Sequence, residues 1–135
     1  MIEGGCLCGA VRFQISGAMT DIYQCHCSLC RRSTGTGAIA ACMCAFDDFK
    51  WLSGQGKLRS FSKTEHYSVQ FCEDCGSPAP MLHPDGNAYW VPAGLLDGQS
   101  HELKVGAHVY VASKADWDVI GDEGLVFDEG FPDRG

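Results

Sequence analysis

The chain has 135 residues, a hydrophobic fraction of 45% and a formal net charge of −7. These values predict one globular domain with a buried core, and they exclude a disordered chain. Neither nucleic acid nor a membrane is an expected partner, because the acidic sequence shows no basic face and no apolar run long enough to span a bilayer.

Short β-strands are predicted along most of the chain. Residues 10–15 alternate in hydrophobicity, and residues 38–46 form a continuous apolar run typical of a buried strand. Later strand candidates, rich in β-branched and aromatic residues, are residues 58–62, 67–71, 88–91 and 108–112. Helical candidates are short and cover residues 28–33 and 47–51, with a turn at 114–117. The predicted fold class is mainly β, with a few short helical turns.

We expect a single domain over residues 1–135, with a core at about 4–118 and an acidic C-terminal tail at 119–135. The first residues contain neither the basic segment nor the apolar stretch of a signal peptide. A cytoplasmic location is therefore predicted. In that compartment clustered cysteines are more often metal ligands than disulfides.

Seven of the nine cysteines fall into three tight clusters. The clusters are the pair Cys6 and Cys8, the triplet Cys25, Cys27 and Cys30, and the pair Cys72 and Cys75. Thiolates packed so closely form a soft ligand set, and their usual metal is zinc. Two pairs complete one tetrahedral site, whereas the triplet leaves one position of a second site open. We therefore expect two zinc ions per chain.

The two pairs are predicted to hold a structural zinc. In Cys72-x-x-Cys75 the intervening residues form a tight turn that directs both sulfurs to one point, and Gly76 allows positive φ after it. A thioredoxin-like redox pair is the rival interpretation, but that motif requires a βαβ context that the sequence does not indicate. Cys6-x-Cys8 supplies the two ligands that the first pair lacks.

The triplet is predicted to hold the second, open zinc. His26 lies between two of its cysteines and could complete the site, although a loop histidine with an ordinary hydrogen bond is also consistent with the sequence. Cys42 or Cys44 could instead close the triplet as a second structural site, or both could pack in the core as free thiols.

Charged residues near the triplet leave several roles open. Arg31 and Arg32 follow it directly and could offset its negative charge, bind an anionic ligand or form a solvated helix face. His108 begins a predicted strand and could line the site. The acidic side chains further along are interpreted as a solvated face, namely Asp116, Asp118, Asp122 and Glu123.

Several motifs occur in a defined order along the chain. They are Gly5-Cys6-x-Cys8-Gly9, Cys25-His26-Cys27-Ser28-x-Cys30-Arg31, Thr34-Gly35 and Phe71-Cys72-x-x-Cys75-Gly76-Ser77-Pro78. Together they resemble the glutathione-dependent formaldehyde-activating enzyme family, which also includes centromere protein V. Gly94–Asp97 and His108–Trp117 are similar to later segments of that family, so the similarity runs from about Gly4 to Trp117.

The resemblance implies a β-tent fold of short antiparallel sheets stapled by zinc. It also implies a structural zinc at Cys6, Cys8, Cys72 and Cys75, and a zinc reaction centre at Cys25, Cys27 and Cys30. The implied activity is the condensation of glutathione with formaldehyde to S-hydroxymethylglutathione, a reversible reaction of the carbon–sulfur lyase type. The implied partners are a small thiol, a small aldehyde and a second copy of the chain in a homodimer.

The predicted enzyme holds a small thiol as a thiolate at the open zinc, and the sulfur adds to the aldehyde carbon. The oxyanion that develops needs a hydrogen-bond donor or a proton source. The candidates are Ser28, Ser33, Thr34, His26 and the backbone N–H groups near Cys30. The alternative function, of a different class, is a non-catalytic zinc module that binds a partner protein or senses metal or redox state.

Overall fold

The computed structural model describes residues 1–98 and 102–132, so the end of the predicted acidic tail lies outside the described residues. The described part contains eleven strands, one α-helix and four short 3₁₀ turns. The strands are β1 Ile2–Gly5, β2 Arg12–Ile15, β3 Ile22–Cys25, β4 Ile39–Ala45, β5 Phe49–Ser53, β6 Leu58–Thr64, β7 Tyr67–Cys72, β8 Met81–Leu82, β9 Ala88–Pro92, β10 Val105–Val109 and β11 Leu125–Val126. The helix α1 is Ser28–Thr34, and the 3₁₀ turns are Phe46–Asp48, Gln55–Lys57, Ala93–Leu95 and Val111–Ser113.

The predicted mainly β fold class is confirmed by these elements. Strands β2, β4, β6, β7 and β9 lie within two residues of their predicted bounds, and α1 matches the predicted helix at residues 28–33. Strands β1, β3, β5, β8 and β11 were not predicted, because their short segments show neither clear alternation nor a long apolar run.

The predicted helix at residues 47–51 is wrong. A 3₁₀ turn covers Phe46–Asp48, and strand β5 begins at Phe49. The buried ring of Phe49 stacks on Phe13, with centroids 5.4 Å apart, and on Tyr89, with centroids 3.9 Å apart. Aromatic packing on the sheet therefore overrides the local helical preference of this segment.

The predicted strand at residues 108–112 is displaced toward the N-terminus. Strand β10 begins at Val105 and ends at Val109. Tyr110 has φ 55°, in the left-handed region, and the 3₁₀ turn Val111–Ser113 follows it. Because a strand requires extended backbone at every residue, the pairing ends where Tyr110 changes direction.

The first of two compact units contains residues 1–20 and 42–98. Its strands β1, β2 and β5 form an antiparallel sheet in that order, and β6 and β7 form an antiparallel hairpin. The side chains at the centre of this unit are almost inaccessible to solvent. They are Val11, Phe13, Ile15 and Val91.

The second compact unit contains residues 21–41 and 102–132. Here β10 lies between β11 and β3 and runs parallel to both, whereas β3 pairs antiparallel with Ile39–Ala41 of β4. The parallel pairing of β10 with β3 and β11 differs from the antiparallel sheets that were predicted. Through β11, residues 125 and 126 of the predicted acidic tail belong to the sheet. Helix α1 connects β3 to β4. The single domain expected from the sequence stays a prediction.

No helix among residues 1–98 and 102–132 is both long and apolar enough to cross a membrane. The one α-helix in the described chain has 7 residues. At about 1.5 Å of rise per residue, such a helix is far shorter than the hydrocarbon core of a bilayer.

Phe13→Ala is expected to lower the free energy of unfolding by about 3–5 kcal/mol. Phe13 is 0% exposed, and its ring contacts Phe49 and Trp51, so truncation leaves a cavity in the first unit. Denaturant unfolding measures the loss. The matched control is Phe61→Ala on β6, where the side chain is 60% exposed and a change of less than about 0.5 kcal/mol is expected. Equal losses in the two variants would contradict this description of the core.

Candidate metal sites

Four cysteine sulfurs converge in the first unit. Cys6 follows β1, Cys8 lies in the next turn, Cys72 ends β7 and Cys75 lies in the turn after it. All four sulfurs lie within 4.8 Å of one another. Cys6 Sγ is 3.6 Å from Cys8 Sγ, and Cys8 Sγ is 3.9 Å from Cys72 Sγ. All are free thiols, so no disulfide explains the convergence.

These distances fit a tetrahedral zinc site. Four Zn–S bonds of about 2.3 Å place neighbouring sulfurs about 3.8 Å apart, which is close to the two sulfur–sulfur distances observed. The local backbone supports the same arrangement. Gly76 has φ 73° and its N–H donates to the Cys72 carbonyl at 2.7 Å, so the chain reverses sharply after the pair. Val11 N–H donates to Cys6 Sγ at 3.3 Å, and a backbone N–H in this position stabilises a thiolate and orients it toward a metal.

The electrostatics of the four-cysteine site call for a cation. Hydrogen bonds from the backbone N–H groups of Ser77 and Cys8 lower the pKa of Cys75 to about 6. The N–H of Ala10 also favours the Cys8 thiolate, but burial and the neighbouring thiols outweigh it and raise the pKa of Cys8 to about 12. One thiol of the group therefore ionises readily at the expense of another. A divalent cation permits all of them to ionise together.

Three more sulfurs converge in the second unit. Cys25 ends β3, Cys27 is the residue that caps the N-terminus of α1, and Cys30 lies in its first turn. Their sulfurs lie within 4.8 Å of one another. Cys30 N–H donates to Cys27 Sγ at 3.3 Å. A hydrogen bond from the Cys30 thiol, aided by the N–H and thiol of Cys27, lowers the pKa of Cys25 to about 6 despite its burial.

Within the described part of the chain, the three-cysteine site has no fourth protein ligand. Across residues 1–98 and 102–132, no further cysteine, histidine or carboxylate brings a ligand atom within 4.8 Å of all three sulfurs. The donor set fits a soft metal such as zinc, and it leaves one tetrahedral position without a side chain of the described residues. The structure thus brings together all seven cysteines of the three sequence clusters, as one group of four and one of three.

The alternatives for closing the triplet find no support. His26 is 0% exposed and directs Nε2 to His108 Nδ1, 2.9 Å away, so it is a hydrogen-bonded loop histidine. Cys42 and Cys44 are buried in β4 and belong to neither group of converging sulfurs. Burial raises the pKa of each to about 11, which keeps them as neutral core thiols.

Two acidic residues differ from the solvated face that the sequence suggested. Asp122 accepts hydrogen bonds from His108 Nε2, with its two carboxylate oxygens 2.9 and 3.0 Å away. Asp118 Oδ2 lies 3.6 Å from His26 Nδ1. No local pattern connects His26 with His108, because they are 82 residues apart. The signal that the sequence did offer was the position of His108 in a predicted strand, from which it could line the site.

The arginine pair at the end of α1 is not uniformly solvated. Arg32 is exposed, whereas Arg31 is half-buried and its Nε atom is inaccessible to solvent. Among the residues that the structure describes, this Nε has no hydrogen-bond acceptor. A buried guanidinium N–H without an acceptor costs free energy, and an anionic ligand could supply that acceptor.

Both cysteine groups lie in the part of the chain that matches a known protein family. Residues 1–113 match the family described as glutathione-dependent formaldehyde-activating enzyme. A Halomonas elongata protein, provisionally named a glutathione-dependent formaldehyde-activating enzyme, is 27% identical over 133 residues, covering 87% of this chain and 79% of that protein. The crystal structure of a Rhodobacter sphaeroides protein is similar in fold, with a TM-score of 0.59 and 24% identity over 74% of this chain and 92% of that chain.

Cys72→Ser is expected to remove one zinc ion and to unfold the chain at temperatures where the wild type is folded. A structural zinc contributes on the order of 10–16 kcal/mol of apparent binding free energy. That equals or exceeds the total stability of a typical domain, about 5–15 kcal/mol. Metal analysis by plasma emission and thermal unfolding by circular dichroism measure the two effects.

The matched control is Cys44→Ala, which removes a buried thiol that belongs to neither group. This variant should keep the wild-type metal content and lose only the packing of one small side chain. Retention of the wild-type metal content and melting temperature by Cys72→Ser would contradict a structural metal at the four-cysteine site.

Proposed function

Because the chain belongs to the glutathione-dependent formaldehyde-activating enzyme family, we propose that it adds a small thiol such as glutathione reversibly to a small aldehyde such as formaldehyde. The forward reaction forms a carbon–sulfur bond and a hydroxyl group, and the reverse reaction breaks that bond, as in a carbon–sulfur lyase. The observation that carries the proposal is the convergence of Cys25, Cys27 and Cys30 without a fourth ligand among the described residues.

The two cysteine groups have different roles in this proposal. Cys6, Cys8, Cys72 and Cys75 would hold a closed, structural zinc, and Cys25, Cys27 and Cys30 would hold a second zinc, because their sulfurs converge in these two groups. When bound, the second ion supplies a position at which an incoming sulfur is stabilised as a thiolate near neutral pH. The three negative ligands favour this thiol chemistry over the activation of water, which requires a stronger Lewis acid.

Arg31 is the residue proposed to orient the thiol substrate. It follows Cys30 directly in α1, and its buried Nε has no acceptor among the described residues. Glutathione carries carboxylates, and a guanidinium binds a carboxylate through two parallel, charge-assisted hydrogen bonds. A carboxylate held there would satisfy the buried N–H and bring the substrate thiol toward the three cysteines.

The proton balance of the addition limits the choice of donor. The substrate thiol loses one proton, its sulfur bonds to the aldehyde carbon, and the aldehyde oxygen gains one proton. Ser33 and Thr34 donate their hydroxyl hydrogens to the Cys30 carbonyl, at 3.1 and 2.9 Å, so they serve the helix. Ser28 is exposed and adjacent to Cys27, which makes its hydroxyl the proposed donor to the oxygen.

Chelation is expected to remove the two ions in separate steps. The three-cysteine site should release zinc first, because it has fewer protein ligands, and the chain should remain folded after that loss. Zinc release followed with a chromogenic chelator, together with circular dichroism, measures both events. Release of both ions in one step with global unfolding would make the second site structural, and would favour the non-catalytic zinc module instead.

Cys27→Ser is expected to abolish acceleration of hemithioacetal formation while the four-cysteine site keeps its zinc. Glutathione and formaldehyde are mixed with each variant, and the reaction is followed by thiol consumption or by NMR of the S-hydroxymethyl product. The quantity compared is the rate in excess of the spontaneous, protein-free reaction. Cys44→Ala, which alters a core thiol outside both groups, should retain the wild-type rate. Equal acceleration by wild type and Cys27→Ser would remove the enzymatic interpretation.

A further inference from the structure

Two histidines form the buried polar centre of the second unit. His26 and His108 are 0% and 1% exposed, and their rings join through a hydrogen bond of 2.9 Å between His26 Nε2 and His108 Nδ1. Burial of an imidazole without partners costs free energy, and a hydrophobic side chain could fill the same volume without that cost. The pair therefore indicates a function for its hydrogen bonds beyond core filling.

The His108 end of this pair is anchored by the C-terminal segment. Both carboxylate oxygens of Asp122 lie within 3.0 Å of His108 Nε2, and Oδ1 also accepts from Gly124 N–H at 2.8 Å. A carboxylate that accepts these hydrogen bonds is ionised, and they lower the pKa of Asp122. His108 Nε2 therefore carries the hydrogen, and in a neutral ring Nδ1 accepts from His26 Nε2–H. Phe127 N–H donates to the His108 carbonyl at 2.9 Å, which fixes the same strand position from the backbone.

The His26 end of the pair lies within the metal-binding loop. His26 separates Cys25 from Cys27, and its N–H donates to the Val109 carbonyl at 3.0 Å. Cys25 pairs in register with Val109, and Gln24 pairs with His108. The loop that carries two ligands is thus attached to β10 twice, once through the backbone and once through the imidazole of its central residue.

Asp118 faces the opposite nitrogen of His26. Its Oδ2 lies 3.6 Å from His26 Nδ1, beyond a direct hydrogen bond. The Asp118 backbone is held by Lys114, whose Nζ donates to the Asp118 carbonyl at 2.6 Å. Its carboxylate also lies so close to Gly37 that a Cβ there would be 2.6 Å from Oδ2. The hydrogen-bonded path to the cysteines therefore runs through His108 and Asp122, with Asp118 packed alongside.

We propose that His108 and Asp122 are positioning residues for the Cys25, Cys27 and Cys30 site, and that they act through His26 to keep the three sulfurs converged before a metal binds. The inference rests on the proposed use of these cysteines as a metal site. Three thiolates repel one another, so a metal-free loop tends to open. A buried chain of hydrogen bonds to a rigid strand opposes that opening, and loss of such outer partners typically weakens metal affinity by about 10–100-fold.

The experiment measures Co²⁺ binding to the three-cysteine site. The weaker zinc is removed by mild chelation of the full-length chain, and Co²⁺ is titrated back while thiolate-to-cobalt charge-transfer absorption is recorded. Asp122→Ala is expected to raise the Co²⁺ dissociation constant by about tenfold or more. The four-cysteine site should keep its zinc in this variant, because its ligands are unchanged.

Two variants separate the hydrogen bond from a general charge effect. Glu123→Ala removes the same charge one residue away and should bind Co²⁺ as the wild type does. Asp122→Asn keeps an oxygen that can accept from His108 Nε2–H, so it should recover most of the affinity lost in Asp122→Ala. The spectrum adds a readout that stability alone would not change, because the band position reports the geometry of the three sulfurs.

Each remaining outcome overturns the inference. Equal Co²⁺ affinity in wild type and Asp122→Ala, or an Asp122→Asn variant as weak as Asp122→Ala, would show that the hydrogen bond does not position the site. Loss of both ions together with unfolding of Asp122→Ala would assign Asp122 a merely structural role. If wild type itself shows no second Co²⁺ site, the proposed function fails together with this inference. The results described above for the Asp122 variants overturn this inference alone and do not contradict the proposed function.

Discussion

The repulsion between thiolates held a few ångströms apart is the constraint on which the structure depends. Within the four-cysteine group, the pKa of Cys75 is lowered to about 6 while that of Cys8 is raised to about 12. A group of this kind is stable when a cation permits every sulfur to ionise. Because Cys8 and Cys72 are 64 residues apart, a metal ion bound by both would also close a long loop of the chain.

The same chemistry has a different consequence in the second unit. Three sulfurs converge beside an arginine whose buried Nε–H has no acceptor among the described residues, and in the proposed function an external sulfur and an anion would complete this site. A closed group of four has no such requirement. The difference of one ligand is the reason for the two roles proposed, a structural site with four sulfurs and a substrate site with three.

The histidine pair connects this chemistry to the fold of the second unit. Strand β10 contributes His108, and the segment after it contributes Asp122. The parallel pairing of β10 with β3 brings His108 beside the loop that carries Cys25 and Cys27. The C-terminal segment, which looks like an acidic tail in the sequence, thereby contributes Asp122 to the hydrogen bonds that reach His26, between Cys25 and Cys27.

The sequence by itself determined the features that depend on local spacing. Cys72-x-x-Cys75 and Gly76 form their tight turn, and α1 begins beside Cys27, because a few adjacent residues decide such geometry. Only the tertiary structure decided that Phe49 joins a strand and that Asp122 binds His108. Those outcomes depend on packing and on pairing between segments far apart in the chain. His26 and His108, for example, are 82 residues apart, and the residues next to either one do not indicate that the two side chains meet.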